Sequence, residues 1–401
     1  MHIFLTYYNN MTWNTFEIVA LSILAFCFIV QMLFYWVVLA KPYYYMQYIA
    51  SERLYNPTAK PPVSVIVYLK NSKYDLAQFL SNLLEQDYPE FEVIIVTDGI
   101  SDDYEETLER LKKKYSNLYS THVPNETKNV SRKKLALTLG IKAAKYNNLL
   151  FTESDCHLRT TEWIFSMARH FSVKKTVVLG FSALENTENL SHKFIAYDYF
   201  FSNLQMISCA LLNFPYAGNG RNMAYSKEHF IEQKGFVKHR ILQQGEDDLF
   251  INDIATGENT AVELSAQSVT LSEINDFQDW EQQKIDRMVT QHFYKRGPVA
   301  FWRLETYTRI GFFAALIASF ICGFPYLSKP DLLLPGIALA CFIVRFSSQL
   351  FIINKILEHL NLEKFYLTIL LFDIFQPFVN LYFYLYRFLK GKNNYTNFYE
   401  K

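Results

Sequence analysis

The stretch Phe91-Glu92-Val93-Ile94-Ile95-Val96-Thr97-Asp98-Gly99 decides the fold class, because an almost unbroken β-branched run ends abruptly in a carboxylate and a turn glycine. A strand buried on both faces needs such continuity, whereas a strand with one wet face alternates. Val63-Ser64-Val65-Ile66-Val67-Tyr68-Leu69 has the same texture. Between the two runs Leu76, Phe79, Leu80, Leu83 and Leu84 recur at helical spacing, which predicts strand, helix, strand. Residues 149–152 and 176–184 extend the pattern as later strands, with helices expected over 131–146 and 161–171. Strand–helix alternation predicts an α/β domain around a mostly parallel sheet. Ligands of such sheets gather at the carboxyl ends of the strands.

On either side of this region the texture changes. Residues 18–40 carry no charge and are interrupted only by Ser22 and Gln31. At about 1.5 Å per residue they suffice to cross a hydrocarbon core of roughly 30 Å. Residues 1–17 contain no Lys or Arg, so the segment is expected to be an anchor and not a cleaved leader. Lys41 is the first basic residue, which predicts the N-terminus outside and the bulk of the chain inside. Beyond Phe301, residues 310–327 and 332–353 form two further apolar spans, joined by a short link at 328–331 containing Pro330. The last apolar segment, 365–389, carries Asp373, Gln376, Pro377 and Asn380 and ends in Arg387, Lys390 and Lys392. A fourth full span would put those cations outside, so a re-entrant or interfacial segment is expected there. The chain thus divides into an N-terminal transmembrane anchor (1–41), a cytoplasmic domain (42–300) and a C-terminal membrane region (301–401). That last region holds two spans plus a re-entrant or third span. Arg345 inside a span costs about 2.5–3.5 kcal/mol on insertion scales. Snorkelling to headgroups is the expected relief, with Asp373 or a lipid phosphate as alternative partners.

Composition agrees with this mixture. Of 401 residues half are apolar and 17% aromatic, yet 19% are charged, which suits neither a pure membrane bundle nor an ordinary soluble enzyme. Lys plus Arg and Asp plus Glu both total 39, so no global field calls for a nucleic-acid partner. The cysteines Cys27, Cys156, Cys209, Cys322 and Cys341 show no paired spacing. Neither a disulfide framework nor a zinc site follows, and a reducing compartment does.

Chemistry is sought at the strand ends. Asp98-Gly99, with Asp102 and Asp103 close behind, offers a carboxylate to a nucleotide base or ribose, although Asp-Gly is also a common turn pair. Glu153-Ser154-Asp155 follows an apolar strand, and two carboxylates one residue apart at a sheet rim suit Mg²⁺ or Mn²⁺. A solvated acidic turn would look the same. Gly245-Glu246-Asp247-Asp248 precedes an apolar helical stretch, where the acids can cap the helix or supply a general base; taken alone, the cap leads. The loop Tyr216-Ala217-Gly218-Asn219-Gly220-Arg221-Asn222 permits close backbone approach to a ligand. It lacks the ending of a P-loop and the spacing of a dinucleotide fingerprint. Lys133 and Lys134, just inside a helix start, are placed to meet phosphate or to form a solvated face.

Together these pieces resemble a family 2 glycosyltransferase with a GT-A fold, in the integral-membrane branch related to cellulose synthase. The resemblance covers residues 61–294 and is carried, in the family's order, by PPVSVIV, LLEQDYP, VTDG, SRKKLAL, LLFTESDC, GNGRNMAY, GEDDLFIN and WEQQK. It implies a nucleotide-diphospho-sugar donor, most simply a UDP-sugar, with Asp98 on the base and Lys134 and Glu153 on the donor side. Asp155 is implied as the ligand of Mg²⁺ or Mn²⁺ that closes the family's Asp-x-Asp motif, whose first Asp is here Glu153. Asp247, with Asp248 as the alternative, is implied as the base that deprotonates the acceptor. Gly218, Asn219, Gly220, Asn222, Glu246, Gln283 and Arg287 are implied on the acceptor side. The expected activity is inverting transfer of a sugar to a lipid-linked or glycan acceptor, in surface polysaccharide or glycolipid synthesis. The expected place is the cytoplasmic face of the inner membrane, in a multi-pass protein whose partner is the lipid bilayer and not nucleic acid.

One departure bears on the product. Processive members carry Gln-x-x-Arg-Trp. After Gln283 the Arg and Trp positions hold Asp286 and Arg287, and a register in which Arg287 is the arginine puts Lys284 before it and Met288 after it. The missing indole predicts one or a few additions. A processive synthase and an inactive relative are the alternatives.

Overall fold

The computed structural model describes residues 15–51, 60–70, 75–124, 131–185, 189–272, 277–323 and 333–390. The link expected at 328–331 lies outside them. In chain order, α1 (Thr15–Leu33) passes through a π-helical segment, Phe34–Leu39, into α2 (Lys41–Ser51). The first half of the α/β region is β1 (Val63–Lys70), α3 (Leu76–Leu84), β2 (Phe91–Asp98), α4 (Asp102–Lys114), β3 (Leu118–His122), α5 (Arg132–Ala143) and β4 (Asn148–Glu153). Its second half is β5 (Cys156–Leu158), α6 (Trp163–Ala168), β6 (Val177–Gly180), β7 (Ser182–Leu184), α7 (Leu190–Leu211), β8 (Met223–Ser226), α8 (Lys227–Glu232), α9 (Asp248–Ile254), β9 (Thr260–Glu263), β10 (Thr270–Ser272) and α10 (Phe277–Thr290). Three long helices close the chain, α11 (Arg296–Gly323), α12 (Leu333–His359) and α13 (Thr368–Lys390). Contacts among the described residues form two compact units, one within Met1–Leu39 and Ala300–Ile353, the other within Ala40–Val299 and Asn354–Lys401.

In the second unit the apolar runs become the middle of a seven-stranded sheet, ordered β3-β2-β1-β4-β8-β6-β9. Strands β1 to β4 are mutually parallel neighbours, and β8 runs antiparallel to both β4 and β6. Val63, Val65, Ile66, Val67 and Val93–Val96 are fully buried, as continuous strands in a covered sheet must be. The intervening helices start where the sequence offers caps. Asp75 accepts from the N–H groups of Ala77 and Gln78 at α3, and Ser131 from Lys134 at α5. Leu76, Phe79, Leu80, Leu83 and Leu84 all turn inward, as their spacing predicts.

Register decides where the chemistry gathers. Lys70 pairs with Asp98 and Tyr68 with Glu153, so the carboxyl ends of β1, β2 and β4 form one rim. Because β8 is antiparallel to β4, its first residue Met223 lies opposite Phe151 near that same rim, and the loop before it arrives there.

One expected strand divides. Residues 176–184 become β6 in the large sheet and β7 in a small sheet ordered β5-β10-β7. The break falls at Gly180 and Phe181. A Cβ on Gly180 would stand 2.5 Å from the Asn222 side chain, which donates a hydrogen bond to the Phe181 carbonyl and ends the ladder there.

Among the described residues four helices are long and apolar enough to cross a membrane: Thr15–Ile49, Arg296–Ile321, Leu333–His359 and Thr368–Tyr386. In the first unit Leu24, Cys27, Phe312, Ala315 and Ala338 pack together. Arg345 does not snorkel. It is fully buried, donates to the Gln31 side-chain oxygen at 2.9 Å and the Tyr35 hydroxyl at 3.1 Å, and lies over the rings of Tyr35, Phe312 and Phe313 at 5.1–5.3 Å. The sequence shows Gln31 as a polar interruption of an apolar span; its partners supply the reason.

In the second unit α13 packs against α7 and α10. Ile369, Phe372, Asp373, Gln376 and Phe383 are buried, whereas Phe375, Phe378, Leu381, Tyr382 and Leu385 are exposed. The Gln376 amide donates to Asp198 on α7 at 2.9 Å. Asp198 also takes Lys284 of α10 at 2.6 Å and the Trp280 indole N–H at 3.4 Å.

Candidate active site

The rim at the ends of β1, β2 and β4 carries two groups of charged side chains. At β2, Asp98 is nearly buried. Its Oδ1 accepts from Arg132 Nε at 2.6 Å and Oδ2 from the Tyr68 hydroxyl at 2.7 Å. Burial alone would raise the Asp98 carboxyl, but Arg132 and the Tyr68 hydrogen bond outweigh it and hold it below the usual carboxylate range. Gly99 follows at φ +62°, the left-handed turn that the Asp-Gly pair suits.

At β4 the cluster is denser. Lys133, on the first turn of α5, places its ammonium 2.7 Å from Glu153 and 2.8 Å from Glu246. Arg221 lies on Asp155, with Nη2 2.6 Å from Oδ2, and also stands 3.5 Å from Glu153. Burial pushes the Glu153 carboxyl up, and Lys133, Arg221 and Arg287 together pull it well below its ordinary value, so it is ionised at neutral pH. Gly220 sits between Glu153 and Asp247: a Cβ there would stand 3.3 Å from the Glu153 carboxylate and 3.5 Å from Asp247. A side chain there would press on the Glu153 carboxylate and touch Asp247 at ordinary contact distance.

The acidic run before α9 resolves into three different residues. Asp247 is the N-cap. Its Oδ1 accepts from the Asp248 N–H at 2.7 Å and its Oδ2 from the Gly220 N–H at 3.0 Å, so it both caps the helix and stays partly open at the rim. Asp248 turns inward and is buried. It accepts from the hydroxyls of Thr290 and Tyr294 and from the Leu249 N–H. Burial and the neighbouring Asp247 charge push its carboxyl up to about 7. Glu246 is 4% exposed, gives one oxygen to Lys133 and keeps the other, Oε2, buried without a hydrogen-bond partner.

The remaining expected site residues fall into two sets. Gln283 reaches the rim, with its side-chain oxygen 3.5 Å from Arg221 Nη1. Arg287 lies over the Tyr199 ring at 5.6 Å, and its charge acts on Glu153 and Asp248. The others support from behind. Asn222 is buried and bonded to Phe181, Ser268 and Trp163, and Asn219 is bonded to Tyr199 and Asn203. A Cβ on Gly218 would meet Ile251 at 2.7 Å, so that glycine serves packing. Lys134 gives its ammonium to the carbonyls of His239, Leu242 and Gln244, tying down the loop ahead of Asp247. The structure therefore puts Lys133, not Lys134, among the carboxylates. Adjacent residues on a helix point about 100° apart, and sequence alone does not say which lysine faces in.

Arg221, Arg132 and Tyr68 are the residues that sequence reasoning missed. Each bonds a carboxylate far along the chain, 66 residues away for Arg221 and Asp155. The available signal was the arginine inside a Gly/Asn-rich loop and the single phenol at the end of an aliphatic strand.

The donor set suits a hard cation with few protein ligands. Asp155 and Glu153 are oxygen donors at the rim. Among the described residues no three of His, Cys, Asp and Glu gather into a cage. Mg²⁺ and Mn²⁺ take their other positions from water and substrate phosphates. The carboxylates of Glu153, Asp155, Glu246, Asp247 and Asp248 outnumber the cations Lys133, Arg221 and Arg287, which leaves an excess of negative charge.

Residues 64–230 match the family model described as glycosyl transferase family 2. The chain is similar to a solved structure of the mannosyltransferase PcManGT from Pyrobaculum calidifontis, in complex with GDP-Man and Mn²⁺. That similarity has 19% identity and a TM-score of 0.51, over 86% of this chain and 99% of that one. S. aureus TarS 1–349 aligns at 18% identity over 75% of this chain and 89% of that one, with a TM-score of 0.38. No curated protein matches the chain. The central domain has the GT-A fold, and the protein is a glycosyltransferase flanked by helices able to cross a membrane.

Proposed function

We propose that the protein transfers one or a few sugars, with inversion, from a nucleotide-diphospho-sugar to a lipid-linked or glycan acceptor, at the cytoplasmic face of the membrane that its helices enter. The observation that carries this reading is the pairing of Asp247 and Glu153 across Gly220. A base and a donor-side carboxylate then stand on either side of one backbone residue.

Asp98, with Arg132 and Tyr68, receives the base of the donor, taken as uracil. Asp155, with Glu153 beside it, would hold Mg²⁺ or Mn²⁺, which supplies Lewis-acid stabilisation of the charge that develops on the leaving diphosphate. Lys133, bridging Glu153 on the donor side and Glu246 on the acceptor side, keeps the two carboxylates from repelling one another. Asp247 accepts the proton of the attacking hydroxyl; a positioned carboxylate contributes about 10²–10⁴-fold. Asp248 is not the base, because its oxygens are committed to Thr290, Tyr294 and the start of α9. Glu246 Oε2, lacking a partner, is the acceptor for a sugar hydroxyl. Gln283 and Arg287 lie on the acceptor side. The missing indole after them supports short transfer over polymerisation.

The test uses washed membranes containing the protein, a panel of UDP- and GDP-sugars and a lipid extract. Nucleotide release and label transfer to lipid are followed with and without EDTA, beside Asp155→Asn and Asp247→Asn. Transfer from one donor, lost on chelation and in both variants, is expected. Transfer that survives in Asp247→Asn removes the base assignment, and a product with the donor's anomeric configuration removes inversion.

A further inference from the structure

Arg221 has a more specific part than charge balance. Its guanidinium faces Asp155 side-on, with Nη2 2.6 Å from Oδ2 and Nε 3.1 and 3.3 Å from the two oxygens. The same group reaches Glu153 at 3.5 Å, and its Nη1 lies 3.4 Å from the Tyr199 hydroxyl and 3.5 Å from Gln283. Its backbone is fixed, since the Arg221 N–H donates to Asn219, which is itself bonded to Tyr199 and Asn203. Only the side chain is free to change partner. A divalent cation on Asp155 would bind oxygens that the fork already engages, about 2 Å from them, and would stand next to a like charge.

We propose that Arg221 and the divalent cation are alternative partners of Asp155, so that Arg221 weakens binding of a bare cation and transfers to the leaving diphosphate when cation and donor bind together. A guanidinium suits both tasks, because its planar fork matches carboxylate and phosphate alike. Tyr199 supports the exchange. Its ring carries Arg221 at 5.8 Å and Arg287 at 5.6 Å, so a diphosphate arriving there meets two cations on one aromatic platform. Cation and nucleotide then bind cooperatively, each relieving what the other faces alone. This rests on the cation-dependent reading above.

The experiment titrates Mn²⁺ into the full chain in nanodiscs and follows the free-ion signal by electron paramagnetic resonance, without nucleotide and with UDP or GDP. Wild type, Arg221→Gln, Arg221→Lys and Asp155→Asn are compared, and thermal unfolding confirms that each is folded. In wild type a nucleoside diphosphate is expected to tighten Mn²⁺ binding about tenfold or more. Arg221→Gln is expected to bind Mn²⁺ alone about tenfold tighter than wild type and to lose most of that cooperativity. Arg221→Lys, which keeps the charge without the fork, falls between, and Asp155→Asn abolishes site binding. A merely structural role for Arg221 can only weaken the ion. Unchanged or weaker Mn²⁺ binding in folded Arg221→Gln therefore overturns the exchange while leaving the transferase reading intact. Absence of Mn²⁺ binding in every protein, even with nucleotide, removes the cation from that reading and the exchange with it.

Discussion

Glu263 and Glu246 are both nearly buried glutamates in the same domain, each facing a cation, and they are finished to different degrees. At Glu263 both oxygens are engaged. Oε2 meets Arg169 at 2.7 and 3.0 Å and His170 Nε2 at 2.6 Å, and Oε1 accepts from the Ser265 N–H at 2.6 Å. Burial would raise this carboxyl, but His170 and Arg169 outweigh it and bring it to about 2. At Glu246 one oxygen meets Lys133 and the other meets nothing. The closed network at the carboxyl end of β9 holds that strand to the residues after α6, whereas the one at Glu246 has acceptor capacity left. An incomplete buried network costs stability, a cost that a bound hydroxyl donating to Glu246 would remove.

The contrast can be broken most sharply at the rim. Asp247→Asn keeps the cap oxygen, gives up the bond from the Gly220 N–H and removes the base, so transfer should fall by about 10²–10⁴ while stability falls by only about 1–3 kcal/mol. A large midpoint shift would make Asp247 structural, like Glu263. The reverse holds at Glu263. Glu263→Ala leaves the half-buried Arg169 and the buried His170 without this anion and should cost up to about 3–5 kcal/mol in denaturant unfolding, with donor affinity in the surviving folded protein unchanged. Trp163→Phe is the milder version. It strips the indole N–H from Asn222, held at 3.1 Å, and should cost about 1–3 kcal/mol of stability while leaving KM for the acceptor unchanged. A raised KM would return Asn222 to the acceptor side.

The smallest effect is a slope. Asp248 has a folded value raised to about 7, so the native state holds its proton longer than the unfolded chain does. Its contribution is fully present below about pH 4 and is lost as pH rises to 7, by at most about 1.4 kcal/mol per pH unit. Glu263, with its depressed value, does the opposite: its contribution is present above about pH 4 and is lost as pH falls towards 2. Asp248→Asn should flatten the stability profile between pH 4 and 7, and Glu263→Gln should flatten it below 4. Equal slopes in variant and wild type over the named window would void the assignment concerned.

Much of this was legible in the chain. Continuous β-branched runs, helical spacing between them and acids at their ends fixed both the sheet and the rim, because burial and period are local properties of sequence. Glu153 and Asp155 were singled out behind an apolar strand for that reason, whereas Asp247 read as a helix cap until the resemblance implied a base. What stayed hidden was pairing. Lys133 and Lys134 are equivalent in sequence and opposite in space, and Arg221 acquires meaning only when an antiparallel β8 brings its loop to β4. The division of residues 176–184 into two sheets was hidden likewise, since its cause is the Asn222 side chain arriving from another segment. Asp248 matched the motif as well as Asp247 did. Only the hydroxyls of Thr290 and Tyr294, more than thirty residues on, tell the two apart.

Asp198 gives the molecule a calendar. Its carboxylate is built early in α7, takes Lys284 and Trp280 from α10, and waits for Gln376 in α13. At about 5–20 residues per second, the ribosome adds that last donor roughly 5–20 s after the lysine. Until then Asp198, which ties down the helix that carries Gln283 and Arg287, lacks its Gln376 donor.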